Sequence, residues 1–600
     1  MIYLGFLIFI VFLSAVPFSG AVCLKRRPER LFAAGLLLNG LLFYFACAVN
    51  LCDGGFLAIL IGNIALYIPA AMKLRKEPAA IREFWTPAVK VIYPALLLAF
   101  LMTLKEDLLW WDEFSHWAFA PKLLLETGRL NCTQGAILEH ASYPPGLPVL
   151  DVLVHKCFFW PWFRDFVPRF AIRTLMISLL ALPFGDIPGR RTLRECAAGL
   201  LLFFLVLGII LPNGCFTCES DCILGIVFTA AVYVVMRHDR SVGDDLFLAL
   251  LLAWLFLIKK AGMGFAVMTQ ILYVVRWIAD RRSAEAPKRP VWSAFVVLAA
   301  PFAAQLSWSL LLKVHHTPIV FPVGKISLRG IWRMIRYGEP EYCGEIARLF
   351  FGRLVKFLPL FFLALGGLFW YRRSAGNRPR RDGDLWWFLP LTFAVYLASL
   401  FLTYMFIFRY YQAHQLVSFR RYVNGFLVMP LCLMLMLMLS GGWSGWGRRF
   451  FSSCSVMALI LFWSGWLRNN EKQAAGWFAR LWSEDYSLIN SRYRKQLNAP
   501  GAKFVAVSEA GGGLYYRMLL YEYKERFVDE MLLNKEEGGR VSPQELREFI
   551  RARKAPYVLL LHPQNETVRD YAELWEEPPD TREKFALYEV TPEGRLRPVR

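Results

Sequence analysis

Charge is scarce in this chain. Only 19% of its 600 residues are Asp, Glu, Lys or Arg, against roughly 25% in ordinary soluble domains, while 56% are hydrophobic. That balance excludes both intrinsic disorder and a soluble globular fold. Repeats with a period of roughly 20–50 residues are absent, as are low-complexity segments, which excludes solenoids and propellers. Cations are also missing from particular places: the short loops Asn50–Gly54 and Pro212–Asp221 hold no Lys or Arg, although the chain carries 68 of them against 47 acids, a net charge of +21.

What is present instead is a succession of apolar runs long enough to cross a hydrocarbon core roughly 30 Å thick. About fourteen such runs occur between residue 2 and residue 467. The first has no basic segment before it and Lys25-Arg26-Arg27 after it, so it reads as a retained span and not as a cleaved leader. Laid end to end, the spans put Lys25–Arg30, Lys73–Lys90, Arg190–Arg194, Arg237–Arg240, Arg281–Arg289, Arg372–Arg381 and Arg448-Arg449 on one side. The positive-inside rule makes that side the cytoplasm. The positive charge therefore reports topology, and nucleic acid is not expected as a partner.

The expected fold is an α-helical polytopic membrane protein divided into four parts. Residues 1–105 form N-terminal spans, and 106–169 an external loop with interfacial helices. Residues 170–467 form the transmembrane core, with a second external loop at 313–352, and 468–600 an external α/β domain. The last is read from the apolar runs Phe504–Val507 and Tyr557–Leu561, the Gly511-Gly512-Gly513 turn and a helical stretch near 515–533. The expected location is the cell membrane, with the site and the tail outside. Of the twelve cysteines, Cys215, Cys218 and Cys222 cluster on the external side, where a disulfide could form.

Chemistry-bearing residues recur at the external membrane boundary. Asp112-Glu113 opens the first long loop, followed by Ser115, His116 and Trp117; one carboxylate suits a general base, and the competing role is a helix N-cap. Phe114, Trp117, Pro121 and Leu124 share one helical face, with Ser115, Lys122 and Glu126 opposite. A second helix follows Tyr143-Pro144-Pro145 and reaches Trp160, with Asp151 and His155 on its wet side. Asp221 stands before a span. Leu257-Ile258-Lys259-Lys260-Ala261-Gly262 interrupts an apolar stretch of two halves, each about thirteen to sixteen residues, so it reads as the tip of a hairpin. Two Lys there are costly at membrane depth; an anionic ligand would remove that cost, and snorkelling to lipid headgroups is the competing reading. Arg420-Arg421-Tyr422 supplies a second basic pair, with Arg offering bidentate donors to phosphate.

These pieces together resemble the GT-C superfamily of polyprenyl-phosphate-sugar-dependent glycosyltransferases, in particular the family of protein mannosyltransferases and aminoarabinose transferases. The resemblance runs from about residue 100 to 430 and is carried by Asp112-Glu113 with His116, by Tyr143-Pro144-Pro145, and by Asp221-Cys222-Ile223-Leu224, similar to a Thr-Asp-Pro-Leu-Leu element. Lys259-Lys260-Ala261-Gly262 resembles a Lys-x-x-Gly hairpin, and Arg421-Tyr422 with Pro430 resembles an Arg-Tyr-x-x-Pro segment. Cys222 stands where the family has Pro, and either Lys fits the hairpin position. The resemblance implies transfer of a sugar from a polyprenyl-phosphate donor to an external acceptor hydroxyl with inversion. Asp112 would be the base, Glu113 its support, and Asp221 an orienting group. His116, Tyr143, Lys259, Lys260, Arg420, Arg421 and Tyr422 would bind donor or acceptor. Membrane lipids are the other expected partner, and the acceptor's class (glycan, lipid or protein) stays open. The family includes metal-dependent and metal-independent members, so a divalent cation on Asp112 and Asp221 also stays open. A lipid-linked polysaccharide polymerase, ligase or flippase is the competing reading; it would share the basic sites without needing Asp112.

Overall fold

The computed structural model describes residues 2–599 except 105, 107, 109–111, 135, 136, 139, 187–191, 212–216, 238, 239, 283–288, 320–325, 339–341, 375–380, 441–488, 490, 494, 510–513 and 535–539. The expected span at 451–467 lies outside these residues. Among the described residues, nine helices are long and apolar enough to cross a membrane, or up to eleven when each of two bent pairs counts as one span. This is the build of a multi-pass helical membrane protein. Ser220–Met236 and Val242–Ile258 are shorter, at 17 residues each, or about 25 Å of helix.

Contacts divide the chain into two compact units. The first holds Met1–Glu106, Ala120–Gly135 and His140–Trp466; the second holds Asp107–Phe119, Ala136–Glu139 and Leu467–Arg600. Residues of the first long loop occur in both units.

Within the first unit, polar groups gather at the two ends of the helices. At one end, Arg30 pairs with Asp186, which also accepts from Tyr233 and lies 3.4 Å from Arg237 Nε. Arg240 and Arg289 share Asp280 at 2.9 and 3.2 Å, and Asp245 takes Arg289 and Ser293. Buried ions need such pairing, because desolvation costs several kcal/mol per ion. Arg30, Asp186, Arg237, Arg240, Asp280 and Arg289, all from loops read as lying on one side, thus pair with one another at one end of this unit. At the opposite end of Ser220–Met236 stands Asp221.

The hairpin differs from its expected dimensions. Its arms are Val242–Ile258 and Gly262–Arg282, 17 and 21 residues long. The second continues past its apolar run because Arg276 pairs with Asp384 at 2.9 Å and Asp280 with two arginines, so polar residues complete the last turns. The Gly146–Lys156 helix is likewise not half-wet. Asp151 and His155 are fully buried, and Ser115 in the preceding segment is buried as well.

The second unit carries a five-stranded sheet in the order β2-β1-β3-β4-β5. Strands β1 (Phe504–Ser508), β2 (Phe527–Leu532) and β3 (Tyr557–Leu561) are parallel, and β4 (Phe585–Val590) and β5 (Leu596–Pro598) complete the sheet antiparallel. Alternation sorts the faces. Val505, Val507, Val558 and Leu560 pack with Leu546 and Ile550 of the Pro543–Arg553 helix, while Phe504 meets Tyr523 of the Leu514–Tyr523 helix at 5.1 Å. The helix expected near 515–533 ends early: pairing with β1 draws 527–532 into an edge strand despite its Glu, Met and Leu.

One acid in this sheet is expected to make the stability of the domain depend on pH. Glu530 accepts from Ser508 Oγ at 2.8 Å, and burial raises its carboxyl to about 7. A carboxyl whose folded value is raised binds more protons folded than unfolded between about pH 4.5 and 7, so stability falls as pH rises through that window. We expect Glu530→Gln to remove most of that dependence, about 3 kcal/mol across the window. Hydrogen exchange at β1 and β3 in the full chain, corrected for intrinsic rates, reads it; an unchanged slope would assign the effect elsewhere.

Candidate functional site

Three segments distant in sequence converge on Asp221 in the first unit. The Asp221 carboxylate, in the first turn of Ser220–Met236, accepts from Lys259 Nζ at 2.6 Å through Oδ1. Its Oδ2 forms an ion pair with Arg421 Nε at 3.1 Å. Arg421 also donates from Nη1 to Glu219 at 2.7 Å. The Tyr422 ring lies 5.1 Å from the Lys259 ammonium and 5.5 Å from the Arg421 guanidinium, so it faces both cations.

Local geometry explains why these residues meet. Lys259 leaves the Val242–Ile258 helix with extended backbone (φ −158°, ψ 142°), which turns the chain out of the helix. Gly262 closes the turn through its amide to the Lys259 carbonyl at 2.8 Å. A Cβ at Gly262 would stand 1.8 Å from the Leu255 carbonyl oxygen, so no other residue fits without moving the hairpin. On the facing side, Gly225 approaches the Gly425 carbonyl so closely that a Cβ would come within 2.5 Å of it. Small residues on both helices let Phe419–Ser440 press against Ser220–Met236 and bring Arg421 to Asp221. We expect Gly262→Ala to destabilise the chain by about 3 kcal/mol, read as a lowered melting temperature in detergent; unchanged melting would mean that the turn relaxes freely.

The Tyr143-Pro144-Pro145 segment lies against the same hairpin. Lys260 Nζ is 3.4 Å from Ser142 Oγ, and a Cβ on Gly146 would be 2.6 Å from the Leu257 carbonyl oxygen. Tyr143 stacks on His140, ring centres 4.7 Å apart, and its carbonyl accepts from Asn131 at 2.8 Å. Of the two hairpin lysines, Lys259 joins the acidic cluster and Lys260 faces Ser142. Of the two late arginines, Arg421 joins the cluster and Arg420 is exposed. The expectation of two unpaired lysines is corrected for Lys259, because Asp221 is its partner.

Asp112, Glu113 and His116 belong to the second unit. Residues Glu113–Trp117 form one π-helical turn closed by the Ala118 amide on the Glu113 carbonyl at 2.9 Å, a geometry found often at functional positions. Asp112 makes no capping hydrogen bond to this turn, so the N-cap role is not realised. Glu113 and His116 are buried, with His116 edge-on to Trp117 at 4.7 Å. The tail helix covers this segment: Tyr521 meets Phe114 at 5.5 Å and Phe119 at 5.6 Å. Tyr521 was not foreseen, and only its place in an amphipathic stretch could have drawn notice.

Metal binding finds little support in the donor set around Asp221. Both carboxylate oxygens face a cation, which disfavours a divalent ion there. Among the described residues, no three His, Cys, Asp or Glu side chains gather as a metal site requires. Cys218 and Cys222 are buried, and Cys215 lies outside the described residues. Compared with known protein families, curated proteins and solved structures, the chain matches none.

Proposed function

We propose that this chain is a membrane glycosyltransferase that moves a sugar from a polyprenyl-phosphate donor to an acceptor hydroxyl on the external face. The observation that carries the reading is the gathering of Lys259, Arg421 and Tyr422 around Asp221, with Lys260 beside it on the same hairpin tip. Lys259, Lys260 and Arg421 set against Asp221 and Glu219 leave one net positive charge. A polyprenyl phosphosugar is a phosphodiester with one negative charge, so the cluster's net charge is equal in size and opposite in sign. Arg contributes a planar fork of donors and Lys a mobile point charge, which together suit a phosphate that gains charge as its sugar leaves.

In this reading about fourteen spans alternate across the membrane, with the basic loops cytoplasmic and Asp221, the hairpin tip and Tyr143 at the external boundary. The resemblance implies that Asp112 takes the acceptor's proton as its oxygen attacks the anomeric carbon, while the bond from that carbon to the phosphate oxygen breaks. The electron pair leaves with the polyprenyl phosphate, where Lys259, Lys260 and Arg421 meet it. Glu113 supports Asp112, and His116, Tyr143 and Tyr422 contribute to binding donor or acceptor. The test is transfer in proteoliposomes from a panel of radiolabelled polyprenyl-phosphate hexoses and pentoses. Label should move from the lipid to an acceptor fraction; binding of every donor with no release of polyprenyl phosphate would favour a flippase or ligase.

A further inference from the structure

The second long loop contains a helix whose surface does not match its surroundings. Leu328–Tyr337 reads Leu-Arg-Gly-Ile-Trp-Arg-Met-Ile-Arg-Tyr, and none of its residues is buried. Leu328, Trp332 and Ile335 are spaced i, i+4, i+7 and form one ridge, exposed at 87%, 55% and 76%. Arg329, Arg333 and Arg336 have the same spacing one residue on and form an exposed basic ridge beside it; the helix holds no acid. Ser327 caps its start and Gly338, at φ +68°, ends it, so both boundaries are encoded locally.

Its seat adds a second observation. Gly330 lies against Phe406, whose ring would stand 3.4 Å from a Cβ at that position. Phe406 is the last residue of Leu385–Phe406, a helix long and apolar enough to span the membrane. The helix is therefore seated against the end of a helix of spanning length.

We propose that Leu328–Tyr337 is an interfacial anchor that lays its Leu328–Trp332–Ile335 ridge into the acyl boundary and its arginines against anionic phospholipid headgroups. Apolar burial on one side and phosphate contact on the other is the combination that holds amphipathic helices in a bilayer surface. A second copy of the chain fits less well, since two arginine ridges would repel each other. The occupant is thus the bilayer itself.

The test uses the full chain in nanodiscs of phosphatidylcholine, with and without phosphatidylglycerol. A spin label is placed at Ile335→Cys or at Arg329→Cys, and the signal of the identically treated parent is subtracted. With anionic lipid, the label at 335 should be several-fold more accessible to oxygen than to a water-soluble nickel chelate, and the label at 329 should show the reverse. Adding Arg333→Glu and Arg336→Glu should return the 335 label to the nickel reagent. Nickel accessibility at 335 in both lipid mixtures would overturn the proposal. So would exclusion of both reagents, because that would mean that protein covers the ridge.

Discussion

Asp112→Asn is expected to lower sugar transfer by about 10²–10⁴-fold, the usual contribution of a positioned general base. Melting should change little, because Asp112 is only half-buried and Asn keeps its volume. Single-turnover transfer of a radiolabelled donor sugar in proteoliposomes gives the rate. Undiminished turnover would leave the π-helical turn as a structural joint to the tail and favour the reading without Asp112 chemistry.

The second large effect has opposite signs at neighbouring residues. If the cations around Asp221 hold phosphate, Lys259→Gln with Lys260→Gln should weaken binding of polyprenyl phosphate by about 1.5–3 kcal/mol per lost charge-assisted hydrogen bond, or roughly tenfold or more each. Lys259→Gln should also lower melting without ligand, because it removes a partner from a largely buried carboxylate. Asp221→Asn should lower melting too, yet keep or strengthen phosphate binding, since it removes the anion that competes for Lys259 and Arg421. Arg420→Gln, at an exposed position, should leave both quantities unchanged. If the cluster is only a structural ion pair, all the buried variants lose stability and none alters the ligand-induced shift.

Much of the helical part was legible because apolar runs of spanning length announce themselves residue by residue. The break at Lys259-Lys260 was equally plain, since two charges interrupting such a run force a turn. Its partner was not: Asp221 lies 38 residues away, and Arg421 and Glu219 are 202 apart, so their pairing depends on how helices pack. The lysines consequently read as unpaired, whereas Lys259 pairs with Asp221 and Lys260 faces Ser142. Asp151 and His155 misled for a related reason. Spacing of four residues places them on one helical face but does not say whether that face meets water or other helices. The joining of the Asp112 segment to Tyr521 had no local signal at all, as it links residues some four hundred positions apart. In the tail, β1 and β3 stood out as apolar runs, whereas β2 is an edge strand whose composition favours helix until pairing decides it.

The most direct test of the phosphate site is a structure of the chain in a nanodisc with polyprenyl phosphate bound. The account predicts phosphate oxygens within about 3 Å of Lys259 or Lys260 Nζ and of the Arg421 guanidinium, with the Tyr422 ring alongside. A phosphate bound elsewhere, with the Lys259–Asp221–Arg421 cluster intact and untouched, would contradict it.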